Sequence, residues 1–292
     1  MSADITLKLI LKDQFGKGNI TQSTYSARVT RVLNHIVSCG TEIYGFSKYE
    51  CPDCGHTEIH YGTCRDPHCP ACGGRARIAW IQNQRARAVR SAAFHIVFTV
   101  PDRHLNRLAM HDRRYFYNAL FDSSARALKQ LCRHEKYFGA RTTGFFSFLH
   151  SWGSNLSFHP HIHTVLYGAG LDQDGNLIQV RGGKDYLFPA RKLAALFKKK
   201  MMRLLRKKSE YSNSVWLDDL RRAGSENWNV QINRGLEKPD SAINYLGRYV
   251  FRTAVSNRRI KDYDGETVTF EYKDYRDHEG QTDRKQRSAF IR

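Results

Sequence analysis

The chain has 292 residues, with 47 Lys and Arg against 28 Asp and Glu, for a formal charge of +19. Its 7 Pro and 21 Gly exclude collagen-like and linker-like chains, and 41% apolar residues with 12% aromatics can build a core spread over one or two domains. No segment reaches the roughly 18 apolar residues of a membrane span, and Lys8 breaks the apolar stretch Ile5 to Leu11, so a cytoplasmic, non-secreted protein is expected.

An excess of this size points to a polyanionic partner, because neutralising phosphates releases counterions and speeds association. Seven cysteines, an odd number, argue against a secreted disulfide framework. Five of them, Cys51, Cys54, Cys64, Cys69 and Cys72, fall within 22 residues, which reads as a metal site before disulfides.

In chain order, Thr24 to Val37 places Tyr25, Val29, Val32, Leu33 and Ile36 at helical spacing and stops at Gly40. Cys51-Pro-Asp-Cys54 and Cys69-Pro-Ala-Cys72 follow as two knuckles with fourteen residues between them. Two thiolates from each can close a tetrahedral zinc site with no open position, a metal that folds the segment rather than reacts. Cys51, Cys54, Cys69 and Cys72 are the favoured ligands, with Cys64 or His68 able to replace one. Arg75 to Arg90 is an arginine-rich helix. Phe94 to Val100, closed by Pro101, is β-branched and aromatic throughout and reads as a central strand.

A helix is expected from about Asp112 to Leu131, and strands at Thr142 to His150 and His161 to Tyr167, the last running into a hairpin with Asp174-Gly175 as turn chemistry rather than a calcium loop. From Pro189 the residues Leu193, Leu196, Phe197, Met201, Leu204 and Leu205 mark one helix face. Lys198, Lys199, Lys200, Arg203, Arg206, Lys207 and Lys208 mark the other, which suits either nucleic acid or plain solvation. Trp228 to Asn233 reads as a strand, and Asp240 caps a helix through Tyr245 and Tyr249 to about Val255.

The segment His159-Pro-His161-Ile-His163 carries the most information. Residues two apart on a strand share a face, so His161 and His163 can ligate one divalent ion. Candidates for the third ligand are, in order, His159, His150 and Asn244. Tyr245 and Tyr249, at i and i+4, sit one helical turn apart. A phenol attacks phosphorus well when the phosphate charge is neutralised, so a metal strand, a tyrosine pair and a basic chain together point to DNA nicking through a phosphotyrosine.

His161-Ile162-His163 resembles the motif of the HUH endonucleases, and Tyr245-Leu-Gly-Arg-Tyr249 resembles the paired-tyrosine motif of the rolling-circle transposases of the IS91 insertion-sequence family. Phe98-Thr-Val-Pro101, His150-Ser-Trp152, His159-Pro-His161 and Cys69-Pro-Ala-Cys72 are similar to further blocks of that family, in the same order, over residues 20 to 292. The resemblance implies an α+β fold: a central antiparallel sheet of the RRM or ferredoxin-like palm type, flanked by helices. A small helical zinc-binding domain at 1–90 precedes the nuclease domain at 91–292. It implies magnesium or manganese on His161 and His163, structural zinc on the cysteines, Tyr245 and Tyr249 as nucleophiles, and no nucleotide cofactor. The partner it implies is the single-stranded end of a mobile element, in a nucleoid-associated bacterial protein. Family members continue beyond the position of Arg292 with a further basic helical segment.

Arg248, Arg252, Arg258 and Arg259 flank the tyrosines and are candidates to hold DNA phosphates. Two other readings remain open here: a replication initiator or relaxase with the same chemistry, and a zinc-containing DNA-binding protein without catalysis.

Overall fold

The computed structural model describes residues 5–21, 23–236, 243–244, 247, 250, 253–273 and 284–290. Contacts divide the chain into two units, one comprising Met1–Ile81, Ser154–Leu156 and Gly247–Arg292, the other Gln82–Gly153 and Ser157–Leu246.

The second unit is built on an antiparallel sheet. Its strands are β3 (Ala93–Thr99), β4 (Thr142–Trp152), β5 (Phe158–Leu171), β6 (Leu177–Gln179) and β7 (Val230–Ile232), in the order β4-β5-β3-β7 with β6 on β5. Alternation along β3 decides its two faces. Phe94, Ile96 and Phe98 are at most 1% exposed and face the helices α4 (Asp102–His111), α5 (Arg113–Cys132), α6 (Ala190–Lys207) and α7 (Ser214–Ser225). Phe98 meets Phe197 of α6 edge to face at 5.1 Å between ring centroids. Each such fully buried side chain is worth roughly 1.5–3 kcal/mol, so this interface anchors the unit.

The opposite sheet face carries His95, Val97 and Thr99, paired across the ladder with Val165, His163 and His161. The helices start where capping chemistry allows. Asp112 accepts from Tyr115 N at 2.9 Å to open α5, Asn213 accepts from Trp216 N at 3.1 Å to open α7, and Pro189 immediately precedes α6. In the expected hairpin Asp172 accepts from the amides of Asp174 and Asn176, both at 2.9 Å, the turn chemistry anticipated there.

The first unit gathers α1 (Leu7–Gly16), α2 (Ala27–Ser38) and the hairpin of β1 (Phe46–Glu50) and β2 (Thr57–Tyr61). The start of α3 (Gly73–Ala86) and the meander β8 (Ile260–Tyr263), β9 (Thr267–Lys273), β10 (Arg284–Phe290) complete it. Leu11, Ile20 and Ile36 pack with Cys39, Cys69 and Cys72. C-terminal strands join this N-terminal module through buried Gln14, which donates to Tyr263 Oη at 2.7 Å and to the Gly265 carbonyl at 2.9 Å. The α+β class, the helix-flanked antiparallel sheet and the small cysteine-bearing module agree with expectation. The β1–β2 hairpin did not announce itself because every residue of its two strands is exposed, so no buried face imposes the apolar alternation that marks a strand.

Candidate functional site

The histidine site rises from the register of β4 against β5. His150 stands directly opposite His161, and Phe148 opposite His163. Cross-strand partners share a sheet face, so His150 joins His161 and His163, and one ring nitrogen from each of the three lies within 4.8 Å of the others. His150 and His163 are buried and His161 is partly open. Trp152 stacks on His150 at 5.0 Å, and Phe148 stacks on His163 at 5.4 Å, so the rings are held from the side.

Two of the rings are oriented by hydrogen bonds. His161 Nδ1 donates to the His159 carbonyl at 2.7 Å, which fixes Nε2 as its unprotonated, ligating nitrogen. His163 Nδ1 is 2.8 Å from His95 Nε2, and Asn233 Nδ2 donates to His95 Nδ1 at 3.0 Å. With Nδ1 engaged, His163 can ligate only through Nε2. His95 is pushed down to about 4 by burial and by the neighbouring His150, so it is a neutral link in this chain. Three imidazoles with converging nitrogens fit a divalent ion.

The preferred third ligand, His159, is not the one the structure brings to His161 and His163 as a converging nitrogen. Its Nδ1 pairs with Asp102 Oδ2 at 3.0 Å, in the first turn of α4, while its carbonyl serves His161. Asn244 is exposed and accepts from Arg85 at 3.5 Å. Tyr245, Tyr249, Arg248 and Arg252 lie outside the described residues. Arg258 is exposed. Arg259 instead turns inward: Nε donates to the Glu271 carbonyl at 2.7 Å and Nη1 to the Ala254 carbonyl at 2.9 Å. Nη2 donates to the Ser154 carbonyl, and the guanidinium covers the Phe270 ring. Those bonds commit a donor of each guanidinium nitrogen to main chain, so the structure presents Arg259 as a main-chain brace rather than as a phosphate ligand.

The cysteines assemble differently from the two-knuckle expectation. Cys39, Cys64, Cys69 and Cys72 place their sulfurs within 4.8 Å of one another, with Cys39 and Cys64 each 3.5 Å from Cys72. Tetrahedral zinc with bonds near 2.3 Å needs sulfurs about 3.8 Å apart, so the set fits. Burial pushes the Cys64 thiol up and the Cys69 thiol up to about 11, so ionising them calls for a cation. Cys51 and Cys54 lie outside this group, on the turn between β1 and β2, where Gly55 N donates to the Cys51 carbonyl at 2.9 Å. Amides of Asp53 and Cys54 hold the Cys51 thiol below its ordinary value. His68 donates its amide to Asp66 and is not in the set. The substitution of Cys39 for a knuckle cysteine reflects tertiary packing: the end of α2 delivers it to Cys72 from 33 residues away.

Among the described residues no helix is long and apolar enough to cross a membrane. A family model described as "Transposase zinc-binding domain" matches residues 11–100, and one described as "Putative transposase" matches residues 144–292. "Putative transposase y4qJ" of Sinorhizobium fredii is 33% identical over 278 residues, covering 90% of this chain and 69% of the relative. The transposase for insertion sequence element IS801 of Pseudomonas savastanoi pv. phaseolicola is 30% identical over 259 residues, 84% of this chain and 60% of the relative. The chain thus spans about two thirds of the length of these relatives. Among solved structures, the relaxase TrwC with a 27-mer DNA of its recognition hairpin and cleavage site aligns at TM-score 0.30 and 18% identity, over 39% of this chain and 44% of that one.

Proposed function

The chain belongs to the IS91 family of transposases, and on that premise we propose that it nicks and rejoins single-stranded DNA at the ends of a mobile element through a 5′-phosphotyrosine intermediate. The observation that carries this reading is the convergence of His150, His161 and His163 on one sheet face of a strongly basic chain.

In this proposal the three imidazoles hold a magnesium or manganese ion. When bound, such an ion supplies positive charge to the non-bridging oxygens of the scissile phosphate. His161, tied to its neighbour's carbonyl, keeps its ligating nitrogen aimed without reorganisation, and the contact with His95 holds the His163 ring in place. Tyr245 or Tyr249 attacks phosphorus through its phenol oxygen. The new tyrosyl oxygen–phosphorus bond replaces the bond to the 3′ oxygen, the phenol gives up its proton, and the 3′ oxygen leaves as a hydroxyl. A second tyrosine lets one chain hold two DNA ends in succession. Arg248, Arg252 and Arg258 are proposed phosphate contacts. Zinc on Cys39, Cys64, Cys69 and Cys72 folds the N-terminal module, and with four thiolates the site offers no position for a reacting water.

The test is a denaturing gel of labelled single-stranded DNA from the ends of the encoding element, run with manganese or EDTA. Wild type should give a slow covalent adduct with manganese only. Tyr245→Phe and Tyr249→Phe should rank the nucleophiles, and the double variant and His161→Ala should lose the adduct. Cleavage that persists in the double tyrosine variant would sink the proposal.

A further inference from the structure

The helical back of the sheet carries a basic groove that the nicking chemistry does not use. It has a volume of ≈ 580 Å³ and is lined by Lys198, Lys199, Met202, Arg203, Arg206, Lys207 and Gly224, where α6 crosses α7. Lys199, Arg203, Arg206 and Lys207 are exposed, and helix α6 contains no acidic residue.

The nearby acids are committed elsewhere. On α7, Asp218 pairs with Arg221 and Arg222, and Asp219 with Arg107. Glu226, just past α7, gives its carboxylate to His104 and Arg103, while its carbonyl accepts from Lys198 at 2.7 Å. No carboxylate of the described residues forms an ion pair with Lys199, Arg203, Arg206 or Lys207. Four like charges held along about two turns of one helix repel one another, and an anion with repeating charge relieves that repulsion. Gly224 lies on the groove floor, where a Cβ would make ordinary contact at 3.6 Å with both Arg206 Nη2 and Met202 Cε, so a side chain placed there enters the groove.

Register places this groove on the opposite side of the sheet from the histidines. Phe98 pairs with Ile162 and meets Phe197 of α6, whereas the next pair along, Thr99 with His161, points the other way. A strand lying over His161 and His163 therefore cannot reach Lys199 to Lys207 through the sheet. The lining also lacks any aromatic ring, and single-strand sites rely on rings for bases to stack on. Cations without stacking platforms suit a backbone whose bases are already stacked inside a helix.

We propose that the α6–α7 groove is a second DNA site that grips the phosphate backbone of duplex DNA, such as a hairpin stem or an intact flank, while the histidine face takes the single strand. This inference rests on the nicking proposal only for the role of the other face; duplex binding is measurable whether or not the protein nicks.

The experiment measures binding of a labelled 20-base-pair duplex by fluorescence anisotropy over a salt series, beside nicking of a short single strand. Proteins compared are wild type, the quadruple variant Lys199→Gln/Arg203→Gln/Arg206→Gln/Lys207→Gln, and Gly224→Glu, which sets a carboxylate on the groove floor. Both variants should bind duplex at least tenfold more weakly. Losing four phosphate contacts should also flatten the slope of log affinity against log salt by roughly 3–4 in the quadruple variant. Nicking of the short strand should persist at the wild-type rate. Unchanged duplex affinity and slope in both variants would overturn the proposal and leave a solvated helix face. A matching loss of short-strand nicking would overturn the separation of the two sites. Failure of wild type to nick, with the duplex result as expected, would count against the nicking proposal alone.

Discussion

Cys39 Sγ lies 3.5 Å from Cys72 Sγ, joining the end of α2 to the knuckle that opens α3. The contact makes the cysteine tetrad a clamp between two helices rather than a clip between two knuckles. A metal held there ties α2 to the start of α3, in a small cluster where Leu11, Ile20 and Ile36 are buried and Leu7, Phe15, Val32, Leu33 and Val37 are only partly so.

Zinc content separates the two arrangements. Cys39→Ala should lose the structural zinc and with it the order of the first unit, since such sites supply about 10–16 kcal/mol of folding free energy. Cys51→Ala and Cys54→Ala should keep that zinc. Elemental analysis and far-ultraviolet circular dichroism read both effects, and zinc lost from the Cys51 variant but kept in Cys39→Ala would reverse the assignment.

The chain from Asn233 through His95 to His163 predicts an effect of remote substitution on metal affinity. Asn233 Nδ2 donates to His95 Nδ1, while its Oδ1 accepts from Gln231, so for His163 to ligate through Nε2 the chain must reverse: His163 Nδ1 donates to His95 Nε2, and His95 Nδ1 donates to a carboxamide oxygen turned over at position 233. Asn233→Leu and His95→Leu should weaken manganese binding by about 10–100-fold, while Asn233→Asp, a stronger acceptor, should retain it. Calorimetric titration with manganese measures this. Equal losses in the leucine and aspartate variants at position 233 would contradict the relay.

Arg259 is predicted to act on stability and not on DNA. Replacing it by Ala leaves main-chain carbonyls of Glu271, Ala254 and Ser154 without their donor, a loss on the order of 3 kcal/mol in urea unfolding. Single-strand affinity of the folded variant should stay within twofold of wild type. Intact stability with weakened binding would restore Arg259 as a phosphate contact.

Asp112 should make stability depend on pH. Its ion pair with Lys208 and the bond from Tyr115 N hold its carboxyl below the usual value. A depressed carboxyl stabilises the fold above the unfolded pKa, about 3.9, and that contribution fades as pH falls through the lower folded value. Asn caps a helix as well as Asp does, so Asp112→Asn removes the charge alone. Its Tm should lie below wild type at pH 7, and the two should converge as pH falls through the lowered folded value; a constant gap at all pH values would show that the ion pair is not the cause.

Much of the second unit was legible because its periodicities are undisturbed. Phe94 to Val100 and the α6 stripe from Leu193 to Leu205 alternate as strand and helix should, and both appear where expected. The pairing of His161 with His163 followed from period-2 geometry alone. His150 required the register of β4 on β5, which a bulge between His150 and Trp152 shifts, so spacing ranked it behind His159. His159 lost its place to Asp102, a partner 57 residues away. Cys39 stayed hidden for the same reason: an isolated cysteine ending a helix carries no local sign of the three sulfurs it meets. The inward turn of Arg259 was likewise invisible, because a basic residue next to others reads as surface until its carbonyl partners are known.

Mass spectrometry of the tryptic peptides, after incubating the protein with manganese and single-stranded end DNA, tests phosphotyrosine formation at the residue itself. A peptide containing Tyr245 or Tyr249 should carry the 5′-phosphorylated DNA fragment, absent with EDTA and absent from His150→Ala. Metal-dependent cleavage that yields free 5′-phosphate ends, with both tyrosine peptides at their unmodified mass, would contradict it.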